Sequence, residues 1–220
     1  MTNQLIEYSD SFIVSSDPAN GALNLSADGS TFSVQLNNPI AIPHDAKNCT
    51  LEVVQASIWY TSPNISAALG NNTFTIYPNI YDPTTITIPD GLYSRAALNA
   101  YLQLAFVNVG LPADLITLSE NASTQQTVLV FNYVGWTVDM TGANTCREIL
   151  GFNSRLVPLV PTTIVGQSEA SDNIAAFNTL NSYLISTNLI NNGIPVNADG
   201  RNIICQVPIK ASPGSQITYT

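Results

Sequence analysis

With 220 residues, 45% of them hydrophobic and only 10% charged, the chain can bury a sizeable core as one all-β domain or two small ones, and it is not disordered. Fifteen acidic residues against six basic ones give a formal net charge of −9. The six (Lys47, Arg95, Arg147, Arg155, Arg201, Lys210) are scattered, whereas a specific duplex-DNA binder makes about 6–10 phosphate contacts on one face, so no nucleic-acid partner is expected.

Residues 1–30 are polar and broken by Asp17-Pro18, Asn20-Gly21 and Asp28-Gly29. They read as an N-terminal arm with one apolar patch, Phe12, Ile13 and Val14, able to clip onto its own domain or onto a neighbour. The opening MTNQLIEYSD lacks a basic segment followed by an apolar one, so secretion by a signal peptide is not expected. No apolar run approaches the ~20 residues of a membrane helix, and no membrane insertion is expected.

Regular β patterning starts at Thr31, where TFSVQL alternates Phe32, Val34 and Leu36 with Ser33 and Gln35. Asn37-Asn38-Pro39 interrupts it and Pro43-His44-Asp45 ends the segment. Cys49–Thr61 is the longest strand-like stretch and suits a central strand. Its alternation sets Leu51, Val53, Gln55, Ser57 and Trp59 against Glu52, Val54, Ala56, Ile58 and Tyr60. A loop through Asn72 follows, then a strand at Thr73–Tyr77, a turn from Pro78 to Pro83, and the β-branched run Thr84–Ile88, stopped by Pro89-Asp90-Gly91.

Ser94 is placed as the N-cap of a helix whose apolar residues are Leu98, Tyr101, Leu102, Ala105 and Phe106, the stripe of one buried face, with Gly110 as the stop. Strand-like runs return at Leu115–Ser119 and Thr127–Met140, joined by a polar loop, and a short helix is expected at Asn144–Leu150 before Gly151-Phe152. Pro158–Asn173 reads as an extended loop; strands resume at Tyr183–Ile190, Asn202–Pro208 and Gln216–Thr220. Roughly eight strands, with turn signals every 8–15 residues, predict an all-β jelly-roll β-sandwich whose one or two short helices sit in long inter-strand connections. Residues 31–220 would form that single jelly-roll domain.

Several motifs carry a resemblance. I-P-D-G-x-Y-S (Ile88–Ser94), the leucine-patterned helix at Leu98–Leu102, L-I-T-L (Leu115–Leu118) and I-L-G-F (Ile149–Phe152) are similar to the penton or minor capsid proteins of virophages and polinton-like viruses. TFSVQLNNPIAIP…CTLEVVQASIW and NIICQVPIKASPGSQITY add to it, so the likeness covers most of residues 31–220. It implies a single jelly roll that forms a homopentamer at the five-fold vertex of an icosahedral capsid, with neighbouring major capsid protein as the other partner and the virion as its location. The family would also carry further strands after Ile217–Tyr219, so the expectation is either a chain truncated at its C-terminus or a shorter member of the family.

Catalytic chemistry finds no support in the residues. His44 is the only histidine, too few for a cupin-type metal site or for a triad without a G-x-S-x-G elbow. Cys49, Cys146 and Cys205 form no CxxC spacing and are expected to be reduced thiols. Asp82, Asp90, Asp114 and Glu120 lie at turns or strand ends, where acids are common for local reasons, so a carboxylate-pair hydrolase is the weakest reading. Asp17 and Asp28 lack a calcium-loop pattern. No enzyme, cofactor or metal is expected. The alternative to a capsid subunit is a carbohydrate- or receptor-binding jelly-roll module, a spike head, using surface aromatics such as Trp59, Tyr60 or Trp136.

Overall fold

The computed structural model describes residues 9–27, 29–36, 40–42, 44, 46, 48–78, 82–178, 180–189, 202–212 and 214–220. Of the expected breaks, Asn37–Pro39, Pro43, Asp45, the centre of the Pro78–Pro83 turn and Gly193–Gly200 lie outside the described residues, as does Asp28. The chain divides into two compact units, Met1–Leu51 and Glu52–Thr220.

In the first unit, Asp17 caps a turn of 3-10 helix at Pro18–Asn20 by accepting the Ala19 N–H at 2.9 Å. Gly21 (φ 89°) then takes the left-handed conformation that starts β1, Ala22–Leu23. β1 pairs antiparallel with β2, Ser33–Val34, the only part of the expected Thr31–Leu36 strand that forms a ladder.

The second unit is all-β with two helices. Its strands are β3 (Ala56–Trp59), β4 (Thr73–Pro78), β5 (Thr84–Thr87), β6 (Ile116–Asn121), β7 (Gln126–Phe131), β8 (Trp136–Asp139), β9 (Leu156–Val157), β10 (Gln167–Ile174), β11 (Ser182–Thr187), β12 (Asn202–Pro208) and β13 (Gln216–Tyr219). Helix α1 is Arg95–Asn108, and α2 is Arg147–Leu150. Every pairing between named strands is antiparallel among the described residues, in a four-stranded sheet ordered β5-β4-β8-β9, a three-stranded sheet ordered β10-β7-β6, and the pairs β11-β12 and β13-β3.

Both larger sheets and both helices feed one core. Phe74, Ile76 and Ile86 from the four-stranded sheet, Ile116, Leu129 and Phe131 from the three-stranded sheet, and Leu98, Leu102 and Phe106 from α1 all belong to it. Phe74 and Phe106 meet with ring centroids 6.4 Å apart. The alternation of β7 (Thr127, Leu129 and Phe131 buried) is the sequence pattern of a strand with one face inward. A second, smaller cluster gathers Tyr60, Cys205, Val207 and Ile217 from β12, β13 and the end of β3.

The segment Ile88–Ser94 stitches this core together. Ile88 is fully buried, Asp90 Oδ1 accepts the Ala67 N–H at 2.8 Å, and Gly91 forms an isolated bridge with Ile65. Asn64, 2% exposed, fixes the chain on both sides: its Oδ1 accepts the Tyr93 N–H at 2.8 Å and its Nδ2 donates to the carbonyls of Tyr93 (2.7 Å) and Phe177 (2.8 Å). A buried amide with these bonds made stabilises; one left short of them costs about 1–3 kcal/mol.

Three expectations change. The Cys49–Thr61 strand reduces to β3, because a bend at Val54 leaves both Val54 and Gln55 facing outward. That extra outward residue shifts the parity, so Val53 turns inward with Ala56, Ile58 and Tyr60 instead of with Ser57 and Trp59. β3 is also not central, pairing only with β13 among the described residues. The Thr127–Met140 run is two strands, split at Asn132–Gly135, where Gly135 (φ 82°) turns the chain. The expected loop Pro158–Asn173 ends at Gly166, and β10 follows: its sequence, QSEASDNI, is poor in β-formers, yet its backbone pairs with β7 and its Ser171 Oγ accepts the Thr127 N–H at 3.1 Å.

Candidate assembly surfaces

Helix α1 begins as the sequence prescribes. Ser94 Oγ accepts the Ala97 N–H at 3.1 Å, and the helix ends with Gly110 at φ 80°, its N–H on the Val107 carbonyl (3.0 Å) and the Leu111 N–H on that of Phe106 (2.9 Å). Leu98, Leu102, Ala105 and Phe106 face the core, with Tyr101 at its margin. Asn99 Oδ1 accepts the Leu118 N–H at 2.8 Å and the Tyr101 hydroxyl donates to the Thr87 carbonyl at 2.8 Å, so the helix spans from the edge strand β5 of one sheet to the edge strand β6 of the other.

The outward side of α1 is the unusual one. Ala97, Ala100, Leu104 and Val107 are exposed, Leu104 by 59% and Val107 by 54%. Their spacing of three, four and three residues is that of a helix–helix seam. The sole charged side chain of the helix is Arg95, occupied by an ion pair with Glu120 and lying 5.5 Å from the Phe177 ring centroid. A surface helix ordinarily puts charged and polar side chains on its solvent side, whereas the exposed part of α1 is mostly apolar, with Asn108 its exposed polar residue.

A second apolar surface is built from two loops. The segment between β9 and β10 buries Pro158 and Thr162 and turns Leu159 (75% exposed), Val160, Ile164 and Val165 outward. Thr162 is the anchor. Its hydroxyl donates to the Tyr133 carbonyl (3.0 Å) and accepts the Trp136 N–H (3.1 Å), while its carbonyl accepts the Gly135 N–H (2.7 Å). These bonds clamp the segment to the β7–β8 turn, which adds exposed Tyr133 and Val134. Gly166 donates to the Phe131 carbonyl at 2.7 Å, closing the loop at its far end. No charged residue occurs from Leu156 to Ser168 or from Asn121 to Val138. Asp114 borders the patch: the Tyr133 hydroxyl donates to it at 3.3 Å, and its carboxylate charge pushes the Tyr133 phenol up.

Phe12, Ile13 and Val14 lie in the first unit, outside any strand, and all three are exposed, Ile13 by 95%. Of the acidic residues weighed for hydrolysis, Asp90 holds the Ala67 N–H, Asp114 meets Tyr133, Glu120 pairs with Arg95 and Asp82 is exposed. His44 is exposed. Among the described residues no group of three or more His, Cys, Asp or Glu side chains is placed to hold a metal. Cys49 is an exposed free thiol; Cys146 and Cys205 are buried, and burial pushes the Cys146 thiol up to about 12. Of the aromatics, Trp59 is 61% exposed, Tyr60 is buried, and Trp136 is half-buried against the main core.

Neither apolar surface was singled out from the sequence. The signal for α1 is a fourteen-residue helix with one charge; that for the loops is the uncharged run from Leu156 to Ser168, most of which falls in the expected extended loop Pro158–Asn173. Comparison of the chain with known protein families, with curated proteins and with solved structures found no match.

Proposed function

We propose that the chain is a structural virion protein, a jelly-roll minor capsid (penton) subunit whose copies close the five-fold vertices of an icosahedral capsid. The observation that carries this reading is the outward side of α1, an apolar seam on a rigid, well-capped helix. Such a surface is stable in water only at a cost that association removes. The low charge density supports the same reading, because subunits that bury few ions incur little desolvation on packing together. The likeness of Ile88–Ser94 and Ile149–Phe152 to penton proteins of virophages and polinton-like viruses supplies the vertex role, and the all-β architecture is compatible with a jelly roll.

Light scattering of the purified chain across a concentration series tests the proposal. A pentamer is the expected mass; a trimer at every concentration would move the assignment to a spike head. Exposed Trp59 favours that second reading, since a solvent-facing indole suits stacking on a sugar ring, and binding on a glycan array would establish it.

A further inference from the structure

The two apolar surfaces occupy opposite edges of the same pair of sheets. The four-stranded sheet runs β5-β4-β8-β9 and the three-stranded sheet runs β6-β7-β10. Helix α1 joins β5 to β6, the edge strands on one side, and the clamped segment Pro158–Gly166 joins β9 to β10, the edge strands on the other. A body with one sticky edge and a different sticky edge opposite is suited to head-to-tail association, the heterologous contact from which closed rings are made.

We infer that the α1 seam of one copy seats on the clamped loops of the next, so that Ala97, Ala100, Leu104 and Val107 pack against the patch anchored by Thr162. This inference rests on the ring reading above and names the contact that builds the ring. Three observations select a second copy of this chain as the occupant. The first is charge. With a net charge of −9, two copies repel wherever their acidic residues face each other, and a contact between them needs surfaces poor in acids; the exposed apolar side chains of both patches come from uncharged stretches, with Asp114 standing only at the border of the loop patch, whereas a basic partner would be recognised by the acidic surface elsewhere.

The second is extent. The exposed parts of Leu159, Val160, Ile164, Val165, Tyr133 and Val134 come to several hundred Å², comparable with the largest patch of an ordinary monomer and with most of the ~800 Å² that each partner contributes to a stable interface. The third is form. A helix ridge with small residues at its start and larger ones at Leu104 and Val107 meets loops held in place by backbone bonds, so little ordering entropy is lost when they dock.

The test compares four samples by sedimentation velocity: the unaltered chain, Leu104→Glu, Ile164→Glu, and an equal mixture of the two variants. Both side chains are exposed, so each variant should keep the circular dichroism and melting temperature of the parent. Each alone should associate about tenfold or more weakly than the parent. The mixture should form heterodimers and stop there, because one copy keeps an intact seam, the other keeps intact loops, and the two remaining faces both carry glutamate. Added salt should strengthen association of the parent, since it screens like charges.

If the parent associates and neither variant alters it, the pairing is overturned while the ring reading stands. If only Leu104→Glu disrupts assembly, the seam meets another seam and the pairing is wrong. A mixture of folded variants that stays monomeric also overturns it. A parent that remains monomeric at every concentration and salt level removes both this contact and a ring formed by the chain alone.

Discussion

The two hydrophobic clusters of the second unit differ in depth. Among the described residues the main one gathers twenty-one buried hydrophobic residues between Ile65 and Val157, drawn from two sheets and two helices. The smaller has, among the described residues, Tyr60, Cys205, Val207 and Ile217, beneath two-stranded pairs. Each strand of a two-stranded pair has one ladder partner, and such pairs are marginal without further packing. The main share of the buried core therefore lies in Ile65–Val157, where α1 and the clamped loops are also mounted, so both candidate surfaces stand on the better-packed part.

The most forceful way to probe that contrast is to open a cavity in each cluster. Phe106→Ala removes a fully buried ring beside Phe74 and should cost about 3–5 kcal/mol in urea denaturation. Gly151→Ala comes next, at about 3 kcal/mol. Gly151 sits at φ 83°, and a Cβ there would stand 2.3 Å from the Asn173 carbonyl oxygen, which is backbone and has no easy retreat. A variant as stable as the parent would show that the α2–β10 junction is looser than its geometry. In the smaller cluster Val207→Ala should cost only about 2 kcal/mol. Losses as large as that of Phe106→Ala would erase the distinction between the clusters.

The mildest effect is one of pH. The Asn153 N–H donates to Asp172 at 2.8 Å, and with the Arg155 guanidinium at 3.2 Å it holds that carboxyl below its ordinary range against a smaller opposing push from burial. A depressed carboxylate stabilises the fold above its unfolded value, and the contribution is lost as the pH falls through the depressed one. Melting temperatures measured from neutral to strongly acid pH should therefore fall more steeply for the parent than for Asp172→Asn. Parallel curves would mean that the Asp172 contacts contribute nothing to stability. Asp172 is partly exposed, so solvent screening keeps the difference small.

Much of the main core was legible in the sequence. Ser94, the stripe Leu98–Phe106 and Gly110 specify α1 within seventeen residues, and the four buried positions observed are among the five expected. The alternation in Thr127–Phe131 likewise appears as buried and half-buried residues. What was not legible depends on partners distant in the chain. Cys49–Thr61 alternates over its whole length, yet one bend at Val54 reverses which side faces inward, and no residue type announces a bend there. The candidate surfaces were hidden for a related reason. Leu159, Val160, Ile164 and Val165 resemble core residues until Thr162 is seen clamped to the β7–β8 turn, which leaves them outside.

The sequence by itself determined the all-β class, the caps and buried face of α1, and the neutrality of both apolar stretches, because these are set by side-chain chemistry and by periodicity over a few neighbouring residues. Tertiary structure alone decided that QSEASDNI is a strand, that β3 is short and pairs with β13, and that the α1 seam and the clamped loops belong to connections between opposite edge strands. Backbone pairing supplies hydrogen bonds that no local side-chain preference encodes, and the order of strands in a sheet exists only once distant segments have met.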